Sequence, residues 1–193
     1  MQGSATDGIG YEKKGIDSFN AVFAAWQTSN FWQPEIFSVD IDRSEATQLA
    51  EIPELKAHQD FRQLDNGWVA WGATDNSGTA RRIVWSLPSG RKTYDISKTG
   101  LRASLGSSPI NTRINMVSVS PDGKWLAVSF SVTMGRGVGY GKTYVLRTED
   151  SRVLFEHSEA AAVAFIGNEF FAYDEYDSQK RMHQVRVLKV SQH

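Results

Sequence analysis

The chain has no cysteine, which excludes disulfides, thiol nucleophiles and thiolate-ligated zinc as sources of stability or chemistry. It also lacks any run approaching the roughly 18 apolar residues that a membrane-spanning helix needs, so no membrane insertion is expected. Charge of one sign is not in excess: 21 Lys and Arg stand against 22 Asp and Glu, for a net charge of −1. A nucleic-acid partner would demand a basic face. The one local cluster, Arg81, Arg82, Arg91 and Lys92, reads as solvated strand edges and turns, so no nucleic-acid partner is expected. The opening Met1-Gln2-Gly3-Ser4-Ala5-Thr6-Asp7-Gly8 has neither the basic nor the apolar region of a signal peptide. It reads as a flexible leader over residues 1–15, of the kind left when a signal or anchor is cut away. Absence of cysteine fits a cytoplasmic protein as well as an exported one, and the leader favours export to a bacterial periplasm.

What the chain does have is repetition. Four short apolar runs containing alanine occur at Phe23–Trp26, Trp68–Trp71, Trp125–Val128 and Phe170–Tyr173. Each is followed by a polar or glycine-rich gap and a second alternating run: Ile36–Val39, Ile83–Leu87, Tyr144–Leu146 and Val185–Leu188. Aligned on Ala25, Ala70, Ala127 and Ala172, the repeat recurs after 45, 57 and 45 residues. Paired β runs at a period of about 40 to 50 residues are the sequence signature of propeller blades.

The third repeat is the clearest. Met116–Ser120 alternates, and Ser120-Pro121-Asp122-Gly123-Lys124 supplies a turn. Proline presets φ, aspartate caps through its side chain and glycine takes a positive φ. Trp125–Phe130 then runs as a strand, the glycine-rich Met134–Lys142 reverses the chain, Tyr144–Arg147 returns, and Thr148–Ser151 turns into Arg152–Phe155. The string Ser120-Pro121-Asp122-Gly123-Lys124-Trp125-Leu126-Ala127-Val128 with the strands after it resembles a blade of the WD-repeat and TolB-type β-propellers. The resemblance covers about 40 residues well. No Trp-Asp dipeptide ends a third strand, which brings the chain closer to the TolB-type relatives. In repeat two, Asn66-Gly67 is a hairpin signal and Pro88-Ser89-Gly90 a second turn.

The expected fold is therefore all-β, a propeller-like array of about four four-stranded antiparallel blades. Repeats are placed at about 16–56, 57–97, 112–156 and 157–191, in one domain spanning 16–191, with residues 98–111 as an insert loop. An alternative is α+β. Asp17-Ser18 would cap a helix carrying Phe19, Val22, Phe23 and Trp26 at helical spacing, and Ser44–Ala50 would form a second helix stopped by Pro53. The in-register recurrence of Ala-Trp at 25–26 and 70–71 favours strands.

Motifs for chemistry are few. Gly141-Lys142-Thr143 ends like a phosphate-binding loop, but Arg136 stands where the first glycine belongs, and a β run follows where a helix should. None of His58, His157, His183 and His193 has a ligand partner at metal spacing, no serine sits in a Gly-x-Ser-x-Gly elbow, and Asp174-Glu175-Tyr176-Asp177 reads as a solvated acidic hairpin loop. No catalytic, cofactor-binding or metal-binding residue is assigned. Five tryptophans lie in strand runs, where they pack between sheets, whereas Trp32 in Asn30-Phe31-Trp32-Gln33-Pro34 reads as an exposed hairpin tip.

The favoured function is a non-enzymatic binding or scaffold module presenting loops to a protein or peptide partner. Trp32, Arg136, Tyr140 and Tyr176 are the partner-binding candidates. Two alternatives stand beside it: a propeller domain or fragment of a larger hydrolase or peptidase, as some relatives of that superfamily imply, and a carbohydrate or small-ligand binder using Trp32, Tyr140 and Tyr176. Four blades are few for that superfamily, so the resemblance implies a small closed four-blade ring, a half-ring that pairs with a second copy, or a fragment with missing blades. Calorimetric titration with ATP or GTP at millimolar concentration is expected to show no binding, and Lys142→Ala to leave stability within about 0.5 kcal/mol. Micromolar binding lost in that variant would restore the phosphate loop.

Overall fold

The computed structural model describes residues 10–14, 18–25, 35–40, 45–55, 60–74, 81–96, 101, 112–134, 137–158, 160–177 and 179–190. Among them there is no α-helix; fifteen strands form four antiparallel sheets. Strands β1 (Gly10–Lys14), β2 (Ser18–Ala25), β3 (Glu35–Asp40) and β4 (Glu45–Glu51) make sheet A, and β5 (Asp60–Leu64), β6 (Gly67–Ala73), β7 (Arg81–Leu87) and β8 (Gly90–Asp95) make sheet B. Sheet C comprises β9 (Thr112–Val119), β10 (Trp125–Met134), β11 (Gly137–Arg147) and β12 (Val153–Ser158). Sheet D has three strands, β13 (Ala160–Ile166), β14 (Phe170–Asp177) and β15 (Met182–Lys189). Every sheet is a meander in chain order, the form of a propeller blade, so the all-β propeller-like expectation stands, with one sheet a strand short. The described residues divide into two units, 1–98 with sheets A and B and 99–193 with sheets C and D.

Four local expectations are corrected. Strand β2 runs through the segment that could have been a helix, pairing Phe19 with Lys13 and Ala21 with both Tyr11 and Val39, and β4 replaces the second helix. Ladder hydrogen bonds on both sides of β2 override the helical spacing of its apolar residues. Strand β1 lies inside the stretch read as leader, so the boundary at 15 is too late; residues 1–9 lie outside the described residues. From Gly137 onward the glycine-rich segment is strand and not loop: Val138, Gly139 and Tyr140 pair with Thr133, Val132 and Ser131. Glycine does not prevent pairing when the facing strand fixes the register. The acidic stretch Asp174–Asp177 likewise belongs to β14, paired residue by residue with Met182–Val185.

In the first unit the core gathers Ile52, Leu55, Phe61, Trp68, Ala70 and Val84 on one side of sheet B. Phe61 and Trp68 are diagonal neighbours across β5 and β6, ring centroids 6.4 Å apart. Arg91 lies over the Trp68 ring at 5.4 Å while its guanidinium bonds Glu54 at 2.6 Å. The hairpin at Asn66-Gly67 forms, but its turn residues are Asp65 and Asn66. Gly67 is required for a different reason: a Cβ there would stand 2.0 Å from the Ser86 carbonyl oxygen.

The second unit is held by contact between sheets C and D. Ala127 and Val145 of sheet C meet Ala162, Phe165, Phe171 and Val190. Met116, Trp125, Leu154, Phe155, Tyr173 and Leu188 pack around them. Alanine at the centre lets the sheets approach closely enough for hydroxyls of one to reach backbone of the other. The Ala162 amide donates to Ser129 Oγ at 2.5 Å, Ser129 and Thr143 hydroxyls lie 2.7 Å apart, and Thr143 Oγ1 donates to the Ala160 carbonyl at 2.5 Å. Each hydroxyl has one proton. Since Thr143 spends its proton on Ala160, Ser129 must donate to Thr143. The relay is fully satisfied, and Ser129 and Thr143 are buried.

The Ser120–Lys124 turn closes as its residues demand. Ser120 Oγ donates to Asp122 Oδ1 at 2.8 Å and accepts from the Trp125 amide at 2.9 Å. Asp122 Oδ1 accepts the Lys124 amide, and Gly123 has φ of 70°. The Asp122 amide donates to Asn168 Oδ1 at 2.9 Å, tying this turn to the β13–β14 turn.

Two outcomes follow. Ser129→Ala removes the acceptor of a buried amide and the donor to Thr143, and should cost about 1–3 kcal/mol in urea denaturation, since a buried group left unpaired loses its full desolvation free energy. An unchanged midpoint would mean that water replaces the relay. For Asp122, burial raises the carboxyl pKa, but the Ser120 hydroxyl, the Lys124 amide and the Lys124 charge together hold it below the ordinary carboxylate value of 3.8. The folded group therefore binds its proton at lower pH than the unfolded chain, and its contribution is present above about 3.8 and lost as pH falls through the lowered value. The stability gap between the native protein and Asp122→Asn should be larger at pH 7 than at pH 3. A pH-independent gap would show that the carboxylate charge adds nothing.

Candidate functional site

Strand alternation gives sheet D two faces with opposite fates. Register places Phe165, Phe171, Tyr173 and Leu188 on the face packed against sheet C. The other face carries Ile166 with Phe170, Ala172 with Val187, Asp174 with Val185, and Tyr176 with His183. Here Val185 is 69 % exposed, Val187 57 %, Ile166 54 % and Phe170 38 %. These four side chains are neighbours across three strands, with Ala172 between them. Four large apolar groups left in water on one face are a patch of the type that marks an interaction surface.

The third strands of the other sheets provide the contrast. In sheet B, Ile83, Val84, Trp85 and Leu87 of β7 are buried, and in sheet C so are Tyr144, Val145 and Leu146 of β11. Strand β15 occupies the same place in its meander with similar residues, but it forms an edge, and its valines are in water. Among the described residues no strand pairs beyond β15, and an edge that is neither blunted nor covered is a template for association.

Polar groups flank the patch. His183 Nδ1 lies 2.8 Å from Asp174 Oδ2, and its ring centroid is 5.2 Å from that of Tyr176. On the opposite face Arg186 Nε bonds Glu175 Oε2 at 3.0 Å, and Glu175 Oε1 lies 3.0 Å from His157 Nε2. The His157 ring stacks on Phe155 at 5.9 Å and tilts against Tyr173 at 5.8 Å. Burial first, and then the Glu175 charge, push the Tyr173 hydroxyl above its ordinary value. These pairs tie strands together, and none converges with others into a metal-binding group among the described residues.

Of the four residues singled out for partner contact, Tyr176 lies on this face, in a strand and not at a loop tip. Trp32 and Arg136 lie outside the described residues. Tyr140 belongs to β11 opposite Ser131, with its side chain outside the described set. The sequence reading missed Ile166, Phe170, Val185 and Val187. Their signal was present in the alternating run Val185-Arg186-Val187, but alternation reports a strand and not which face is covered.

No family model matches the chain and no curated protein matches it. Among solved structures, the β-propeller domain of the Trilobed protease from Pyrococcus furiosus is similar at a TM-score of 0.48 and 10% identity, over 97% of this chain and 57% of that one. A structure from an analysis of two prolyl endopeptidases gives 0.49 and 16% over 98% and 29%, and the tricorn protease 0.39 and 16% over 87% and 15%. The chain thus spans less than two thirds of each of these proteins. Its all-β, propeller-like character rests on the order and pairing of its own sheets.

Proposed function

We propose that the chain is a non-enzymatic binding module, and that a protein partner docks on the outer face of sheet D. The observation that carries this reading is the exposure of Ile166, Phe170, Val185 and Val187 on a single sheet face whose counterparts elsewhere are buried. Covering a large aliphatic or aromatic side chain contributes roughly 1.5–3 kcal/mol. Four such groups together supply a gross driving force of roughly 6–12 kcal/mol at full burial, which is comparable to the entropy lost on binding, so the rest of the interface supplies the net affinity. The surrounding polar groups, Asp174, His183, Tyr176 and Lys189, suit a rim that fixes orientation.

Photocrosslinking tests this directly. Benzoylphenylalanine placed at Val185 should give a discrete protein adduct in the expressing cell. The same probe at Lys124, whose side chain is 75% exposed on a turn of sheet C, should give none. An adduct with a second copy of the chain would identify the partner as the protein itself. Equal labelling at both positions, or no adduct at Val185, would overturn the reading.

A further inference from the structure

A second recess lies on sheet C. Trp125, Arg147, Arg152, Val153 and Leu154 line a cleft of about 250 Å³. Its geometry follows from the β11–β12 hairpin. Trp125 stands directly opposite Arg147 in the β10–β11 ladder. On the far side the Arg147 amide donates to the Arg152 carbonyl at 3.0 Å. Three side chains therefore form a row across three adjacent strands, about 10 Å from end to end at the usual strand spacing.

The turn fixes this row. Ser151 takes a positive φ of 62°, and its amide donates to the Arg147 carbonyl at 2.9 Å. Asp150 Oδ1 accepts the Arg152 amide at 3.1 Å and Arg147 Nε at 2.9 Å, while Asp150 Oδ2 takes the Arg147 terminal nitrogen. Arg147 is thus held in a fork against a carboxylate, with Glu149 adding to the same field. Its charge is compensated inside the hairpin. The Arg152 guanidinium has no carboxylate partner among the described residues.

We infer that this cleft binds a carboxylate attached to an apolar group, as presented by the last residue of a peptide or by an acidic side chain next to an apolar one. The charge is decided by Arg152, whose planar fork matches a carboxylate and gives charge-assisted hydrogen bonds. The apolar part is decided by the Trp125 indole with Val153, 40 % exposed, and Leu154. Size limits the ligand as well: the cleft is below the roughly 300–1,000 Å³ of sites for drug-sized molecules, so it takes about one residue. Nucleotides are too large, and a neutral sugar would leave Arg152 unanswered. This inference uses a different sheet and different residues from the docking face, so either can fail alone.

The test follows the Trp125 indole N–H in nitrogen-15 spectra, with the signal assigned by its loss in Trp125→Phe. Three probes are titrated at low salt: N-acetyl-leucine, N-acetyl-leucinamide and N-acetyl-glutamyl-leucinamide. A saturable shift with one or both carboxylates, at least roughly fivefold tighter than with the neutral leucinamide, is the expected result. The first acid alone would identify a peptide terminus as the ligand, and the second alone an internal acidic side chain. Arg152→Gln should weaken acid binding by about five- to tenfold and leave the dispersion of the spectrum intact, because the side chain is exposed. Equal affinity for acid and amide, no saturable shift up to about 20 mM, or unchanged affinity in Arg152→Gln would each overturn the inference.

Discussion

The second unit depends on two hydroxyls. Ser129 and Thr143 lie where sheet C meets sheet D, and the registers around them explain why polar groups are tolerated there. The ladder from β10 slips next to Ser129 on both sides, toward β9 and toward β11, and the β13–β14 ladder slips between Ala162 and Ala164. A slip of this kind leaves backbone groups unpaired within their own sheet, and burying them bare would cost as much as a lost hydrogen bond each. The relay from Ala162 through Ser129 and Thr143 to Ala160 satisfies that demand across the interface. An apolar pair at 129 and 143 would pack, but it would leave an amide and a carbonyl of β13 without partners.

The same constraint explains the alanines. Ala127, Ala160 and Ala162 are buried to within 2 %, and a larger side chain at any of them would push β13 beyond reach of the hydroxyls. Aromatic rings pack beside the alanines: Phe165 and Phe171, in the same buried cluster, sit 5.1 Å apart, and Phe155 and Tyr173, packed against it, 4.9 Å apart. Small residues set the spacing and rings fill the space beside them. The repeated alanine that makes the period visible is therefore a packing requirement at Ala127, where the contact with sheet D can be followed atom by atom.

Strand identity was legible because alternation and turn chemistry are local. The Ser120–Lys124 turn and the runs at Trp68, Ile83, Trp125 and Tyr144 all lie where the residues place them. Failures occurred where pairing overrode composition. Phe19, Val22 and Phe23 have helical spacing, yet β1 and β3 hold them in a ladder. Glycines 137, 139 and 141 suggest a loop, yet β10 supplies partners as far as Gly137. The site was less legible than the fold, for a physical reason. Val185 and Val187 look like Val145 or Ile83 in the sequence, and only their exposure in the structure shows that nothing among the described residues covers them.

Two surfaces of the second unit thus arise from the same scaffold by opposite routes. The outer face of sheet D owes its character to what does not cover it: its apolar groups resemble core residues, but nothing among the described residues packs over them. The cleft at Trp125 is a consequence of what is present, because the Thr148–Ser151 turn spends Asp150 on Arg147 and on the Arg152 amide and leaves the Arg152 charge unanswered. A face of the first kind gains free energy from area and discriminates weakly among apolar partners. A cleft of the second kind contributes little area but favours a ligand whose carboxylate pairs with the guanidinium. Area at sheet D and charge at Arg152 are therefore separable sources of affinity and selectivity within one unit.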